Sequence, residues 1–189
     1  MRTEVVCLRH AESANLVAGV SGAVPVAPLT ARGFRQAAAV AAALAGIDRV
    51  YASSALRARQ TAAALGVEVV ARDELVEIGL GGQEGSTDPA LRRETADVLR
   101  AWVVDGELDR RVADGESGHE VLARMTAGLR EVAAFDGRAA LVGHVGSLTL
   151  AVSVLCGLGA EVWGRPLPPA VPFGIGWDGR RSHCPQWPA

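Results

Sequence analysis

The sequence predicts an α/β fold: a three-layer α/β/α sandwich with a mostly parallel central sheet. Three observations carry this. Short apolar runs rich in β-branched residues alternate with helical segments along the 189 residues, which is the signature of strand–helix–strand units. Hydrophobic residues make up 49% of the chain and charged residues 21%, enough for a sizeable core under a solvated surface. Two of the apolar runs end in unusual polar pairs, Arg9-His10 and Gly143-His144. Ligands of such folds sit beyond the carboxyl ends of the strands.

The elements follow in order. Residues 4–8 read as a buried strand. A polar loop and a Gly/Pro-rich stretch, 19–28, come next. Thr30 has the character of an N-cap for an alanine-rich helix over 31–45, stopped by Gly46. Residues 48–52 form a second strand, and Ser53 or Ser54 caps a helix that runs to Leu65 and stops at Gly66. Residues 67–71 are a third strand. Residues 74–88 are glycine-rich. Residues 89–107 read as an interrupted amphipathic helix, so a helical insertion or lid is expected at about 86–112 within one domain covering 1–189. A strong helix follows over 117–135, then a strand over 139–142 and a helix over 146–155. Beyond Gly164 the chain is rich in Pro and Gly, with a final strand at 171–177.

Composition narrows the function. The net charge is −2, so bulk electrostatics point to neither nucleic acid nor an anionic membrane. The apolar run 37–47 is too short to cross a bilayer, and 141–163 contains His144, Glu161 and several glycines and reads as strand, turn and helix. Arg2, Glu4 and Arg9 interrupt the N-terminus, so no secretory leader is expected. Cys7, Cys156 and Cys184 have no metal-binding spacing and suggest reduced thiols in a cytoplasm. No metal and no cofactor are expected. The chain contains no lysine, so any anion site must be built from arginine, histidine or backbone N–H groups.

The strand-end residues belong to longer patterns. These are "LRHAES" (8–13), "PLTARGFRQA" (28–37), "SSALRARQTA" (53–62), "LVEIGLGGQEG" (75–85), "GESGHEVLAR" (115–124) and "VGHVG" (142–146). In this order they resemble the histidine phosphatase superfamily, in its phosphoglycerate-mutase-like branch. Three positions depart from the usual pattern. Ala11 replaces a glycine, Asn15 stands one residue nearer to His10 than the family's asparagine, and Gly82-Gln83 replaces an Asp-Trp pair.

The resemblance implies that His10 attacks phosphorus and becomes a phosphohistidine, which water then cleaves. A neutral imidazole, with an ordinary pKa of about 6.5, offers a nucleophilic nitrogen without a separate base. Arg9 and Arg57 suit the phosphoryl oxygens, because guanidinium forks bind them bidentately and stay charged. His144 adds a donor, and a backbone N–H near Val145 contributes at a helix start. Glu77 is the candidate to protonate the leaving oxygen and then to activate water. Ser13 either binds phosphate or caps the turn that follows it, and Asn15 is a second candidate phosphate contact.

Other residues take plainer readings. Arg35 and Arg59 are surface charges, Glu12 partners an arginine, His119 is exposed, and Glu74 and Glu84 are loop carboxylates. Trp163, Trp177 and Trp187 serve packing or a lid. His183-Cys184 lacks the companions of a metal site. The leading expectation is a cytoplasmic, metal-independent phosphatase of a small phosphorylated metabolite. A phosphoglycerate-type mutase and a catalytically silent phosphate-binding module stay open, as does a homodimer.

Overall fold

The computed structural model describes residues 3–177 and 182–188. Arg2, which entered the reading of the N-terminus, lies outside them. Strands β1 (Thr3–Arg9), β2 (Arg49–Ser53), β3 (Glu68–Arg72), β4 (Ala139–Gly143), β5 (Pro172–Trp177) and β6 (Ser182–His183) form one six-stranded sheet. Its order is β3-β2-β4-β1-β5-β6. The first four strands run parallel; β5 and β6 are antiparallel additions at one edge. The helices are α1 (Ala14–Val17), α2 (Ala31–Ala43), α3 (Leu56–Ala63), α4 (Pro89–Arg100), α5 (Gly118–Ala133) and α6 (Val145–Cys156).

Side chains alternate across the sheet, as the period of two demands. Val5 and Cys7 of β1, with Ala139 and Leu141 of β4, face a core shared with Val121, Met125 and Leu148 of α5 and α6. Val6, Leu8, Ala140 and Val142 face the opposite core, completed by Val40 of α2 and Ala58 and Ala62 of α3. Both faces are covered, which is why these strands read as unbroken apolar runs. Each fully buried aliphatic chain contributes roughly 1.5–3 kcal/mol, so the two cores hold the strand ends in a fixed register.

Side-chain caps start α2, α4 and α5, whereas the N-cap residues of α1, α3 and α6 make no such bond. Thr30 caps α2 by accepting from the backbone N–H of Gly33 at 3.0 Å. Ser117 caps α5 in a reciprocal capping box with Glu120. For α3 the structure corrects the expected serine cap: the N-cap is Ala55, which makes no side-chain bond. Ser53 ends β2 instead, and its hydroxyl is engaged by His144 at 2.8 Å and by the Ala55 N–H at 3.2 Å. The interruption expected somewhere in 89–107 is a π-helical turn, Ala101–Asp105, continuing α4. Trp102 in that turn is buried in the same core as α5 and α6, and its indole N–H donates to the Arg110 carbonyl at 2.9 Å. The 86–112 segment is therefore anchored, and α4 stands over the carboxyl ends of the strands.

Close approach explains one glycine of the α2 start. A Cβ on Gly33 would lie 2.0 Å from the Glu12 carbonyl oxygen, far inside van der Waals contact. Gly33→Ala must push α2 away from the loop that follows β1. The expected loss is about 1–3 kcal/mol, read as a lower urea midpoint at unchanged m-value; an unshifted midpoint would show that the two segments are not held together.

Candidate active site

β2, β4 and β1 are neighbours in the sheet, and each delivers a side chain at its carboxyl end. His10 follows β1, and its backbone N–H donates to Gly143 of β4 at 2.9 Å. His144 follows β4 and is the N-cap residue of α6. Arg57 lies in the first turn of α3, just after β2. The two imidazole centroids are 5.0 Å apart with rings inclined at 63°, and the Arg57 guanidinium joins them.

Arg57 is 1% exposed. Its Nε donates to His10 Nε2 at 3.1 Å, and its Nη2 donates to His144 Nδ1 at 3.1 Å. The carbonyls of Val24 and Ala23 accept from Nη1 at 2.7 Å and from Nη2 at 2.8 Å. Arginine only donates, so these contacts settle both tautomers. His10 Nδ1 lies 2.7 Å from the Ala11 carbonyl oxygen, which can only accept; that nitrogen therefore carries the hydrogen and Nε2 the lone pair. His144 in turn donates its Nε2 hydrogen to Ser53.

Burial holds both imidazole pKa values well below the usual histidine range, since a charged ring would lose its hydration. His144 lowers His10 further, and Arg57 lowers both. Burial also lowers Arg9 and Arg57 from the ordinary arginine range, while the charge of Glu77 opposes the shift. Arg9 donates through Nη1 to the Leu167 carbonyl at 3.0 Å. Among the described residues, its buried Nε has no partner, which leaves a charged donor in the cleft wall unanswered.

Glu77 reaches the site from the loop after β3. Its carboxylate accepts from the backbone N–H of Gly146 at 3.0 Å and of Ser147 at 2.8 Å, in the first turn of α6. Glycine is required at 146, because a Cβ there would sit 2.9 Å from Glu77 Oε1 and 2.6 Å from the Ile78 side chain. An anion at a helix N-terminus meets unpaired N–H groups and the positive end of the dipole.

These groups line one cleft of about 380 Å³, together with Asn15, Val145 and the inner face of α4. The structure thus brings Arg9, His10, Asn15, Arg57, Glu77 and Val145 to one opening, with His144 buried directly behind. Ser13 does not line it. Its side chain is fully buried, its hydroxyl donates to Asn15 Oδ1 at 2.7 Å, and it makes no side-chain bond to the helix it precedes. Glu12 pairs with Arg32 at 3.4 Å; Arg35, Arg59 and His119 are exposed. Trp187 is buried against Phe173, whereas Trp163 is exposed.

Several residues with no role assigned from the sequence hold this arrangement. Arg124 of α5 donates to the carbonyls of Glu74, Val76 and Glu77 and forks onto Glu116. Glu116 also accepts from the Gly79 N–H at 2.8 Å. The pair fixes the loop that carries Glu77. Thr61 accepts from the Ala11 N–H at 3.0 Å and donates to the Arg57 carbonyl at 2.8 Å, tying the 8–13 motif to the 53–62 motif. Glu84 is exposed yet bridges two loops, accepting from Leu80 N–H at 2.7 Å and Ala23 N–H at 2.8 Å. Their position inside the quoted motifs was the available signal. Among the described residues, no group of three His, Cys, Asp or Glu side chains gathers to hold a metal ion, and no helix is long and apolar enough to cross a membrane.

Residues 5–187 match the family model of the histidine phosphatase superfamily, branch 1. Among curated proteins, "Probable phosphoglycerate mutase GpmB" of Enterobacter sp. (strain 638) is 35% identical over 141 residues. That match covers 70% of this chain but 65% of the relative, so it spans less than two thirds of the relative's length. Among solved structures, the alpha-ribazole phosphatase from Shigella flexneri superposes with a TM-score of 0.75 at 25% identity, covering 100% of this chain and 96% of that one. A mycobacterial glucosyl-3-phosphoglycerate phosphatase complexed with VO3 shares the fold, with a TM-score of 0.81, 24% identity and 99% coverage of both chains.

Two neutral buried imidazoles predict a pH-dependent stability. The unfolded chain takes up protons as pH falls through about 6.5, while the depressed pKa values keep the folded rings neutral to lower pH. The unfolded state then binds more protons, so acidification favours it. This contribution is present above the ordinary histidine pKa of about 6.5 and is lost progressively as pH falls below it, as followed by denaturant melts. His144→Gln should flatten that slope; an unchanged slope would mean that His144 titrates normally. Arg124→Met removes donors from three carbonyls and one carboxylate and should lower stability by about 2–3 kcal/mol, measured in the same melts.

Proposed function

The chain belongs to branch 1 of the histidine phosphatase superfamily, and on that premise we propose that it is a metal-independent phosphatase that hydrolyses a phosphate monoester through a phosphohistidine on His10. The observation that carries the reading is the convergence of a lone-paired imidazole nitrogen, two guanidinium groups and a helix N-terminus on one cleft. Phosphoryl transfer needs little covalent help beyond a positioned nucleophile and compensation of the charge on the equatorial oxygens. Arg9 and Arg57 supply that charge, and the Arg9 Nε donor has no partner among the described residues.

In the first step the Arg57 Nε–H turns from His10 Nε2 to a phosphoryl oxygen, and the freed lone pair forms a bond to phosphorus as the bond to the alcohol oxygen breaks. Glu77 gives that oxygen the proton it took from water in the preceding turnover and is left as the carboxylate that the start of α6 holds. In the second step water attacks the phosphohistidine, Glu77 takes a proton from it, and phosphate leaves with His10 restored. His144, held neutral by Arg57 and Ser53, keeps the guanidinium in place from behind. Asn15 and the Val145 segment complete the phosphate cradle, and Ser13 orients Asn15. Three free thiols support a reducing compartment, hence the cytoplasm.

The curated relative named as a phosphoglycerate mutase supports a second reading, in which the phosphohistidine returns its phosphoryl group to the substrate. Inorganic phosphate released from 3-phosphoglycerate, against isomerised product, separates the two.

His10→Ala should abolish both turnover of p-nitrophenyl phosphate and acid-labile labelling of the protein; normal turnover by this variant removes His10 as nucleophile. Glu77→Gln should lower kcat by about 10²–10⁴ on alkyl phosphates, the range for a general acid–base group. The loss on p-nitrophenyl phosphate should be smaller, because nitrophenolate leaves without a proton. Equal losses on both would assign Glu77 to binding instead.

A further inference from the structure

We infer that the alcohol carried by the phosphate is predominantly apolar, an alkyl or aryl body and not a polyol. The inference rests on the phosphatase reading of the same cleft and concerns the part of it beyond the phosphoryl position. That part is walled by Leu16, Val20, Ile78, Leu80, Ala96 and Leu99. Four elements contribute: α1, the loop after it, the loop after β3, and α4. At about 380 Å³ the cleft lies at the small end of small-molecule sites, which span roughly 300–1,000 Å³.

Several polar groups in the same wall are committed, leaving Ser21 and the Asn15 amide N–H as polar exceptions in the lining. The Thr95 hydroxyl donates to the Leu91 carbonyl of its own helix at 2.8 Å. Asn15 Oδ1 accepts from Ser13 at 2.7 Å. Arg92 Nη1 donates to the Gly19 carbonyl at 2.8 Å, across the rim, and Arg92 is exposed, so its other donors remain in water. Glu77 is held by the first turn of α6. A sugar or glycerate body entering this space would exchange water for aliphatic carbon at most of its hydroxyls. Unpaired hydroxyls in a desolvated site are strongly selected against. A hydrocarbon body would instead cover the six apolar side chains and release their water. The wall is built by α1, α4 and the loops beside them, outside the strand ends that hold phosphate.

The test compares n-hexyl phosphate with glucose 6-phosphate, both esters of a primary alcohol, using the full chain and phosphate release as the readout. p-Nitrophenyl phosphate serves as the control for activity. The expected result is a kcat/KM at least about tenfold higher on n-hexyl phosphate, the scale on which apolar pockets discriminate. Ala96→Asn, at an exposed position of α4, places an amide in the wall and should narrow that ratio several-fold. Lack of preference for n-hexyl phosphate, with p-nitrophenyl phosphate turned over, overturns the apolar-body inference and leaves the phosphatase reading standing. No phosphate release from any of the three overturns both.

Discussion

A guanidinium is buried at the centre of this site, and among the described residues no carboxylate forms an ion pair with it. Taking such a charge out of water is costly unless its donors are satisfied. Four of the five Arg57 donors are, by two imidazoles and two backbone carbonyls. The consequences reach outward. Two histidines that accept from a cation have to be neutral, and the nitrogen of each that accepts is decided. The Ala23–Val24 segment must present its carbonyls, and Val24 adopts a φ of +35°, an uncommon conformation for a β-branched residue. Glu84 accepts from the Ala23 N–H and helps to hold that segment in place.

The same positive field explains why Glu77 stands where it does. Arg9 and Arg57 both feel its charge, and the first turn of α6 offers N–H donors directed at one point. The carboxylate is thus the chain's own anion at the end of the sheet that favours anions. Arg124 and Glu116 hold the loop behind it through backbone carbonyls and a backbone N–H. Side-chain identity along residues 74–79 is therefore less constrained than the path of the main chain, and the arginine on α5 sets that path.

Much of this was legible in the residues. The four parallel strands and the long helices follow from apolar runs and alanine-rich segments. Thr30 and Ser117 cap the helices that their position suggests. The juxtaposition of Arg9, His10, Arg57 and His144 follows once the runs before them are taken as neighbouring parallel strands. What escaped has physical causes. Ser53 looks like a cap because serine ordinarily caps; here a buried imidazole needs an acceptor, and that tertiary demand outweighs the local one. The antiparallel direction of β5 and the two-residue β6 depend on pairing with β1 and with each other, which no local pattern encodes. Ser13, a candidate for phosphate, is turned inward toward Asn15, and side-chain direction in an irregular loop leaves no periodicity to read. Arg124 sits on a helix face with ordinary amphipathic spacing, and its three carbonyl partners lie about fifty residues away.

A division of labour follows from the topology. Parallel strands with both faces buried cannot shift without exposing core, so groups attached to their ends keep their relative positions. Arg9, His10 and Arg57 reach the cleft from that rigid end of the sheet, with His144 packed behind them. The walls of the cleft come from α1, α4 and the loops beside them, which lie over the strand ends and can change side chains without disturbing the sheet. Trp102 makes the boundary between the two visible. It is buried in the main core while the helix before it turns Thr95, Ala96 and Leu99 toward the cleft. A substitution on that inner face alters what the cleft admits, whereas one at residue 102 alters whether the wall stands at all.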